Sequence, residues 1–251
     1  MNLHAALERP LERLAGVLEG ARFERRDGYT FLAFPTFPVG MLNGMWIDDD
    51  VAATHIDEAQ EDARALGTPF TVVVREGRSP AVEDAARERG FEATDRIPGM
   101  AVAREGLRDP GLHEHVEVIR VETADGLAQA LAVGAAGFGI SPDLVASVYS
   151  LEVAALDGLR YYLARSDGRD VATAAGFTTE DAVAIFNVAT APDVRGRGYG
   201  SAVTAAAIRD GFEAGAEFAA LQSSALGESV YRGLGFLEIE TYLPYTISDN
   251  S

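Results

Sequence analysis

An almost unbroken apolar run, Ala182 to Thr190, passes through a short turn into Val194-Arg-Gly-Arg-Gly-Tyr-Gly-Ser201, after which Ser201 to Gly211 continues as a helix rich in small residues. The run reads as a strand covered on both faces, and strand, glycine loop and helix together make a seat for an anion such as pyrophosphate. Gly196, Gly198 and Gly200 let the backbone approach a ligand closely and accept positive φ. The first N–H groups of the helix point at that ligand, and Arg195 and Arg197 add charged donors.

What the chain lacks narrows the ligand. All 21 basic residues are arginine, so the lysine-dependent pattern of P-loop nucleotide hydrolases cannot occur. A dinucleotide-binding reading puts Ser201 at the third glycine and sets the loop late in the chain instead of in a leading strand–helix–strand unit.

Downstream, Glu217 to Gln222 reads as a strand, and Gly227 to Gly235 as a short helix ending at a glycine cap before Phe236. The Arg-x-x-Gly-x-Gly loop (Arg195, Gly198, Gly200), followed about thirty residues later by Tyr-x-x-x-Gly-Phe (Tyr231, Gly235, Phe236), resembles the GNAT superfamily of N-acetyltransferases. The resemblance covers about Val116 to Ile247. Strand 116–121, helices 125–136 and 142–155, strands 160–165, 171–178 and 182–190, the loop helix, the strand at Phe218, the Tyr231 helix and a last strand at 237–245 follow the family's order.

A chain of 251 residues suits two small domains. Arg108-Asp-Pro-Gly-Leu-His113 is the expected linker, giving residues 1–109 and 114–251. The first half echoes the second at an offset of 145 residues: Gly90-Phe91 stands for Gly235-Phe236, Ala86 for Tyr231 and Asp50 for Arg195. Helix-like 52–66, strand-like 70–74 and helix-like 81–89 surround these positions. Asp48-Asp49-Asp50 would repel pyrophosphate, so the first half reads as a degenerate GNAT-like domain without a cofactor site. The fold expected from the resemblance is α/β (α+β), with tandem GNAT-like domains, each a mixed, mostly antiparallel sheet flanked by helices.

Other features exclude alternatives. No cysteine is present for disulfides, thiolate catalysis or metal thiolates. Met1 to Gly20 is an interrupted amphipathic helix, not a signal peptide, and no run reaches membrane-spanning length, so a cytoplasmic setting is expected. A net charge of −18 disfavours nucleic acid and favours a cationic substrate. His4, His55, His113 and His115 all precede the strand and glycine loop of the expected cofactor site, so no Ser-His-Asp site is expected from Ala182 onward. His113-x-His115 beside Glu114 and Glu117 reads as solvated linker, and no metal is expected. The expected partner is a small-molecule or peptide amine, with neither nucleic acid nor membrane; a homodimer is compatible with the sequence.

The resemblance implies direct attack of an amine on the thioester of acetyl-CoA, bound as co-substrate. By that resemblance the backbone of Val188 and Thr190 holds the acyl carbonyl and pantetheine, and Val194, Arg195, Gly196, Arg197, Gly198, Tyr199, Gly200 and Ser201 take the pyrophosphate. Tyr231 matches the residue that protonates the departing thiolate.

The general base is not specified. An alkyl ammonium with a pKa near 10.4 must lose a proton, at a cost of about 4 kcal/mol at pH 7.4, and the strand glutamate of some family members is replaced by Ala184. Glu180, Asp181, Asn187 and Glu152 are comparable candidates. Phe138, Tyr149, Tyr161 and Tyr162 would wall the acceptor pocket, and Ser223 and Ser224 would bond pantetheine or acceptor. Two functions stay open: an acetyl-CoA-dependent N-acetyltransferase, favoured because the second half keeps Arg195, its loop glycines and Tyr231, and a non-catalytic acyl-CoA-binding or scaffold protein.

Overall fold

The computed structural model describes residues 1–111, 115–142, 144–145 and 151–247. Two compact units emerge, residues 11–98 with 240 onward, and residues 1–10 with 99–239. Helix α1 (Leu3–Ala15) opens the chain and runs through Pro10, in keeping with its interrupted amphipathic pattern.

In the first of these units, β1 (Arg22–Arg26) and β2 (Tyr29–Ala33) form an antiparallel hairpin, and β3 (Gly44–Ile47) pairs antiparallel with β2. Helix α2 (Ile56–Leu66) returns the chain to β4 (Thr71–Arg75), parallel to β3, and α3 (Pro80–Glu88) leads to the short β5 (Glu92–Ala93). Tyr29, Phe31, Met45, Ile56, Val72 and Val82 fill this unit's core. Each such side chain contributes roughly 1.5–3 kcal/mol when withdrawn from water.

The other unit contains β6 (Ile97–Ala103), β7 (Val116–Arg120), α4 (Ala124–Phe138), α5 (Leu151–Ala154), β8 (Leu159–Ser166), β9 (Arg169–Thr179), β10 (Ala182–Thr190), α6 (Tyr199–Glu213), β11 (Phe218–Gln222) and α7 (Glu228–Gly233). Its sheet order is β6-β11-β10-β9-β8-β7, antiparallel except for β10 beside β11. Asp167 and Gly168 have φ of +50° and +76°, the paired left-handed residues that match a two-residue turn to strand twist between β8 and β9. The Thr123 hydroxyl caps α4 by accepting from Gly126 N at 3.1 Å. Small residues let α6 lie directly on the sheet: a Cβ at Gly211 would stand 2.5 Å from that of Val183. Val183, Ile185, Val203, Ile208, Leu221 and Phe236 share the core beneath.

Both units repeat one order of elements, three antiparallel strands, a helix, a parallel strand and a helix: β1-β2-β3-α2-β4-α3 and β8-β9-β10-α6-β11-α7. The next strand is exchanged. β6 follows α3 in the chain yet pairs with β11, while β12 (Leu237–Thr246) follows α7 yet pairs through Tyr242–Tyr245 with β4. The compact units therefore do not divide at residues 109 and 114, where the linker composition places the boundary. Each sheet is completed by a strand from beyond Arg108-Asp109-Pro110-Gly111, so a local Pro/Gly signal marks a surface connection and not the limit of a unit.

Candidate functional site

Strand β10 leaves its parallel neighbour early. Ala182, Val183 and Ala184 face Phe218, Ala219 and Ala220, and beyond Ala184 β10 has no partner on that side. On its other side the ladder with β9 slips by one residue between Phe186 and Ala189, where Asn187 takes φ +52°. Asparagine tolerates this left-handed geometry better than most residues. Val188 thus lies outside both ladders, whereas Thr190 stays opposite Ala172. The result is a wedge between β10 and β11 with β10 backbone along its edge.

The glycine loop follows at the end of that edge. Pro192–Val194 is one 3-10 turn, Gly196 and Gly198 have φ of +77° and +79°, and nothing lies within 4 Å of where a Cβ would stand on either. Gly198 is the N-cap of α6, without a side-chain cap and without an acidic residue in the first turn. The first helical bond runs from Ala202 N to Gly198 O, leaving the N–H groups of Tyr199, Gly200 and Ser201 without intrahelical acceptors. These donors and the helix dipole favour an anion there. A Cβ on Gly200 would meet Thr190 Oγ1 at 3.2 Å, so the third glycine serves close packing of the helix on the strand.

Charge around the loop is arranged by three arginines. Arg169 holds the Asp193 carboxylate through contacts of 2.6 and 2.8 Å, neutralising it and keeping its pKa below the usual carboxylate range. Arg197 is exposed and hydrogen-bonds to no described residue. Arg195 donates from Nη2 to Gly137 O at 2.6 Å and from Nε to Thr190 O at 3.4 Å, joining the last turn of α4 to the end of β10. Gly137 permits that approach, because a Cβ there would stand 2.8 Å from Ala189 Cβ. Neither Gly137 nor Arg169 is singled out by the sequence; spaced glycines in α4 (Gly126, Gly134, Gly137) are the one signal of close packing. The Tyr199 hydroxyl donates to Ser166 Oγ at 3.2 Å, so its side chain anchors the start of α6.

Tyr231 projects from α7 into the core shared with α6. Its residue is 8% exposed and its ring meets that of Phe236 at 5.8 Å. A Cβ at Gly227 would come within 2.8 Å of its ring, which explains the glycine. The Tyr231 hydroxyl hydrogen-bonds to no described residue, yet its oxygen retains accessible surface. Burial alone pushes its pKa up to about 12. Ser223 Oγ donates to Ser224 O at 2.8 Å and Ser224 Oγ accepts from Gly227 N at 3.2 Å, so both serines brace the turn before α7.

The other candidates are scattered. Glu180 and Asp181 pair with Arg9 at 3.0 and 2.6 Å, at the far end of β10. Seven residues of strand at about 3.3 Å each put Asp181 roughly 23 Å from Val188, too far to serve a reaction at the wedge. Ala184 is fully buried, Asn187 sits in the β10 bulge, and Glu152 is exposed on α5. Phe138 is 51% exposed at the end of α4. Tyr161 lines a cavity of about 380 Å³ with Thr123, Leu127 and Ala154. Tyr162 donates instead to Asp210 Oδ2 of α6 at 2.6 Å, and burial with that contact raises its pKa. Tyr149, His113 and Glu114 lie outside the described residues; among those described, no cluster of His, Asp and Glu could hold a metal.

Known proteins share this fold. Residues 132–236 match the acetyltransferase (GNAT) family. The fold is similar to a GCN5-related N-acetyltransferase from Kribbella flavida, with 22% identity, 98% of this chain and 94% of that chain covered, and a TM-score of 0.77. A functionally unknown conserved protein from Staphylococcus epidermidis aligns at 14% identity over 92% and 95% of the two chains, with a TM-score of 0.68. A tandem GNAT protein from the clavulanic acid biosynthesis pathway aligns at 14% identity over 90% and 77%, with a TM-score of 0.57. No curated protein matches the chain by sequence. The segment matched to the family contains β10, the glycine loop, α6 and Tyr231, and it is a GNAT-family acetyltransferase domain.

Proposed function

We propose that the chain is an N-acetyltransferase that transfers acetyl from acetyl-CoA directly to a primary amine of a small molecule or peptide. The observation that carries this reading is the departure of β10 from β11 beyond Ala184, beside the uncapped start of α6. Pyrophosphate fits the N–H groups of Tyr199, Gly200 and Ser201 and the open faces of Gly196 and Gly198, with Arg197 as a charged neighbour. The free edge at Val188 suits the pantetheine amides and the acyl oxygen.

In the reaction the amine nitrogen bonds to the acyl carbon, the carbon–sulfur bond breaks and the pair of electrons leaves on sulfur. Neither β10 nor β11 carries a carboxylate, so the proton of the amine passes to solvent. Tyr231 offers its hydroxyl to the thiolate. Complete transfer from a phenol at about 12 to a thiolate whose thiol lies near 8.5 is uphill by about 5 kcal/mol. Tyr231 therefore acts as a hydrogen-bond donor, and the proton that finally reaches sulfur comes from water.

The unit of residues 11–98 is, in this reading, a degenerate repeat without a cofactor site. In support, Asp49 Oδ1 accepts from Val51 N at 2.9 Å, so the turn after β3 is occupied by its own carboxylate. No helix among the described residues is long and apolar enough to cross a membrane, and the reading places the reaction in the cytoplasm. The test is free-thiol release from acetyl-CoA over a panel of amines, with calorimetric binding of acetyl-CoA measured beside it. Amine-dependent release supports transfer, whereas binding without release on any amine contradicts it.

A further inference from the structure

The two faces of the wedge differ in chemistry. Val183, Ile185, Ala219 and Leu221 pack in one core with α6 and Tyr231. Alternation along the strands turns Ala184, Phe186, Ala220 and Gln222 to the opposite face, the one on which Gly137 of α4 meets Ala189. Ala184 and Ala220 are the last partners of the parallel pair. Two residues further on, Phe186 and Gln222 therefore flank the mouth of the wedge, one from each strand, and both are half-buried.

Gln222 is unsatisfied there. Its Nε2 is buried with no acceptor, and neither end of its carboxamide bonds to a described residue. Its cross-strand neighbour is Gly99, which has no side chain to offer. A buried amide donor is ordinarily paired, and this one lies beside the mouth of the wedge. With Nε2 as the buried end, Oε1 is the end that keeps accessible surface, an acceptor that a ligand can reach. The strand side chains around it on this face are neutral: Ala182, Ala184, Phe186 and Ala189 on β10, Phe218 and Ala220 on β11.

Resting on the acetyl-transfer reading above, we propose that Gln222 and Phe186 form the acceptor subsite. Gln222 Oε1 accepts an N–H of the attacking amine, and the Phe186 ring packs against an apolar substituent. The acceptor class is a primary amine on an alkyl or aryl body. A polyamine is disfavoured, because none of these strand side chains is a carboxylate that could hold a second ammonium, although the net charge of −18 attracts cations at long range.

The test uses the full-length chain, saturating acetyl-CoA and three acceptors, hexylamine, 2-phenylethylamine and spermidine, with free thiol as the readout. The expected result is a kcat/KM for the two apolar amines at least about tenfold above that for spermidine. Gln222→Ala raises their KM about fivefold while leaving the KM of acetyl-CoA within about twofold, and Gln222→Met, which keeps the side-chain length, does the same. Phe186→Ala removes the preference for the apolar amines. Preference for spermidine in the unaltered chain, or an unchanged acceptor KM in both Gln222 variants, overturns the subsite. If the unaltered chain binds acetyl-CoA and releases thiol with no amine, the acetyl-transfer reading fails first and the subsite with it; normal turnover with insensitive Gln222 variants removes the subsite alone.

Discussion

Arg195 donates from Nη2 to the carbonyl of Gly137 at 2.6 Å, tying the last turn of α4 to the loop that starts α6. The same guanidinium reaches Thr190 O, so one planar fork spans two elements. A lysine supplies the charge but not the fork. Both Arg195→Ala and Arg195→Lys should therefore weaken acetyl-CoA binding, by roughly five- to tenfold from the loss of about one hydrogen bond's worth of organisation. Calorimetric titration checks this; full rescue by lysine would mean that Arg195 acts through charge on the phosphate instead.

Gly198 combines a left-handed backbone with open space where a Cβ would stand, at the start of α6. Gly198→Ala should destabilise the fold by about 1–2 kcal/mol, because a Cβ disfavours φ near +79°. If the proposed pyrophosphate seat is correct, acetyl-CoA affinity should fall further, since the methyl group enters the open space beside Gly198. Chemical denaturation and titration on the same preparation separate the two effects.

Asp48, Asp49 and Asp50 follow β3 where a glycine loop follows β10. Asp49 caps its own turn, and Asp50 Oδ1 accepts from Ala81 N at 2.9 Å. The expected stoichiometry is one acetyl-CoA per chain by calorimetry. Two equivalent sites would contradict the assignment of the unit of residues 11–98 as lacking a cofactor site.

The unpartnered hydroxyl of Tyr231 separates catalysis from stability. Tyr231→Phe removes no hydrogen bond to a described residue, so unfolding should shift by less than about 0.5 kcal/mol. Turnover should fall about a hundredfold if that hydroxyl donates a hydrogen bond to the departing thiolate, with acetyl-CoA affinity nearly unchanged. Equal turnover in the variant would remove the role.

The pH profile follows from the same group. A phenol raised to about 12 stays a neutral donor throughout the range in which ordinary tyrosines ionise. The ascending limb should belong to the amine, rising about tenfold per pH unit toward its pKa near 10.4. No descending limb from Tyr231 is expected below about pH 11. A fall centred near pH 10 would show that Tyr231 has an ordinary pKa in the working enzyme.

Local pattern made the elements of the second half legible. The strand at 182–190 is found with those bounds, and the helix expected from Ser201 begins two residues earlier, at Tyr199. Glycines and apolar runs encode such features within one segment. The hairpin of residues 22–33 is less legible, because β1 is Arg-Phe-Glu-Arg-Arg and only the Asp27-Gly28 turn signals it. The exchange of β6 and β12 is not legible at all: pairing Leu221 with Met100, or Tyr245 with Val72, depends on which sheet edge is open, and no neighbouring residue records that. The glycine loop and the Tyr231 helix are local features that the sequence locates, whereas the wedge, the Asn187 bulge and the stranded amide of Gln222 arise only when β10 parts from β11.

Transfer of acetyl to an amine is tested most directly by following free thiol and acylated product together in one reaction of full-length chain, acetyl-CoA and amine. The predicted result is amine-dependent release of thiol matched one-to-one by N-acetylated amine, lost when Gly198 is replaced by aspartate at the anion seat. Saturable acetyl-CoA binding with neither thiol nor acetylated amine, across alkyl, aryl and peptide amines, would contradict it.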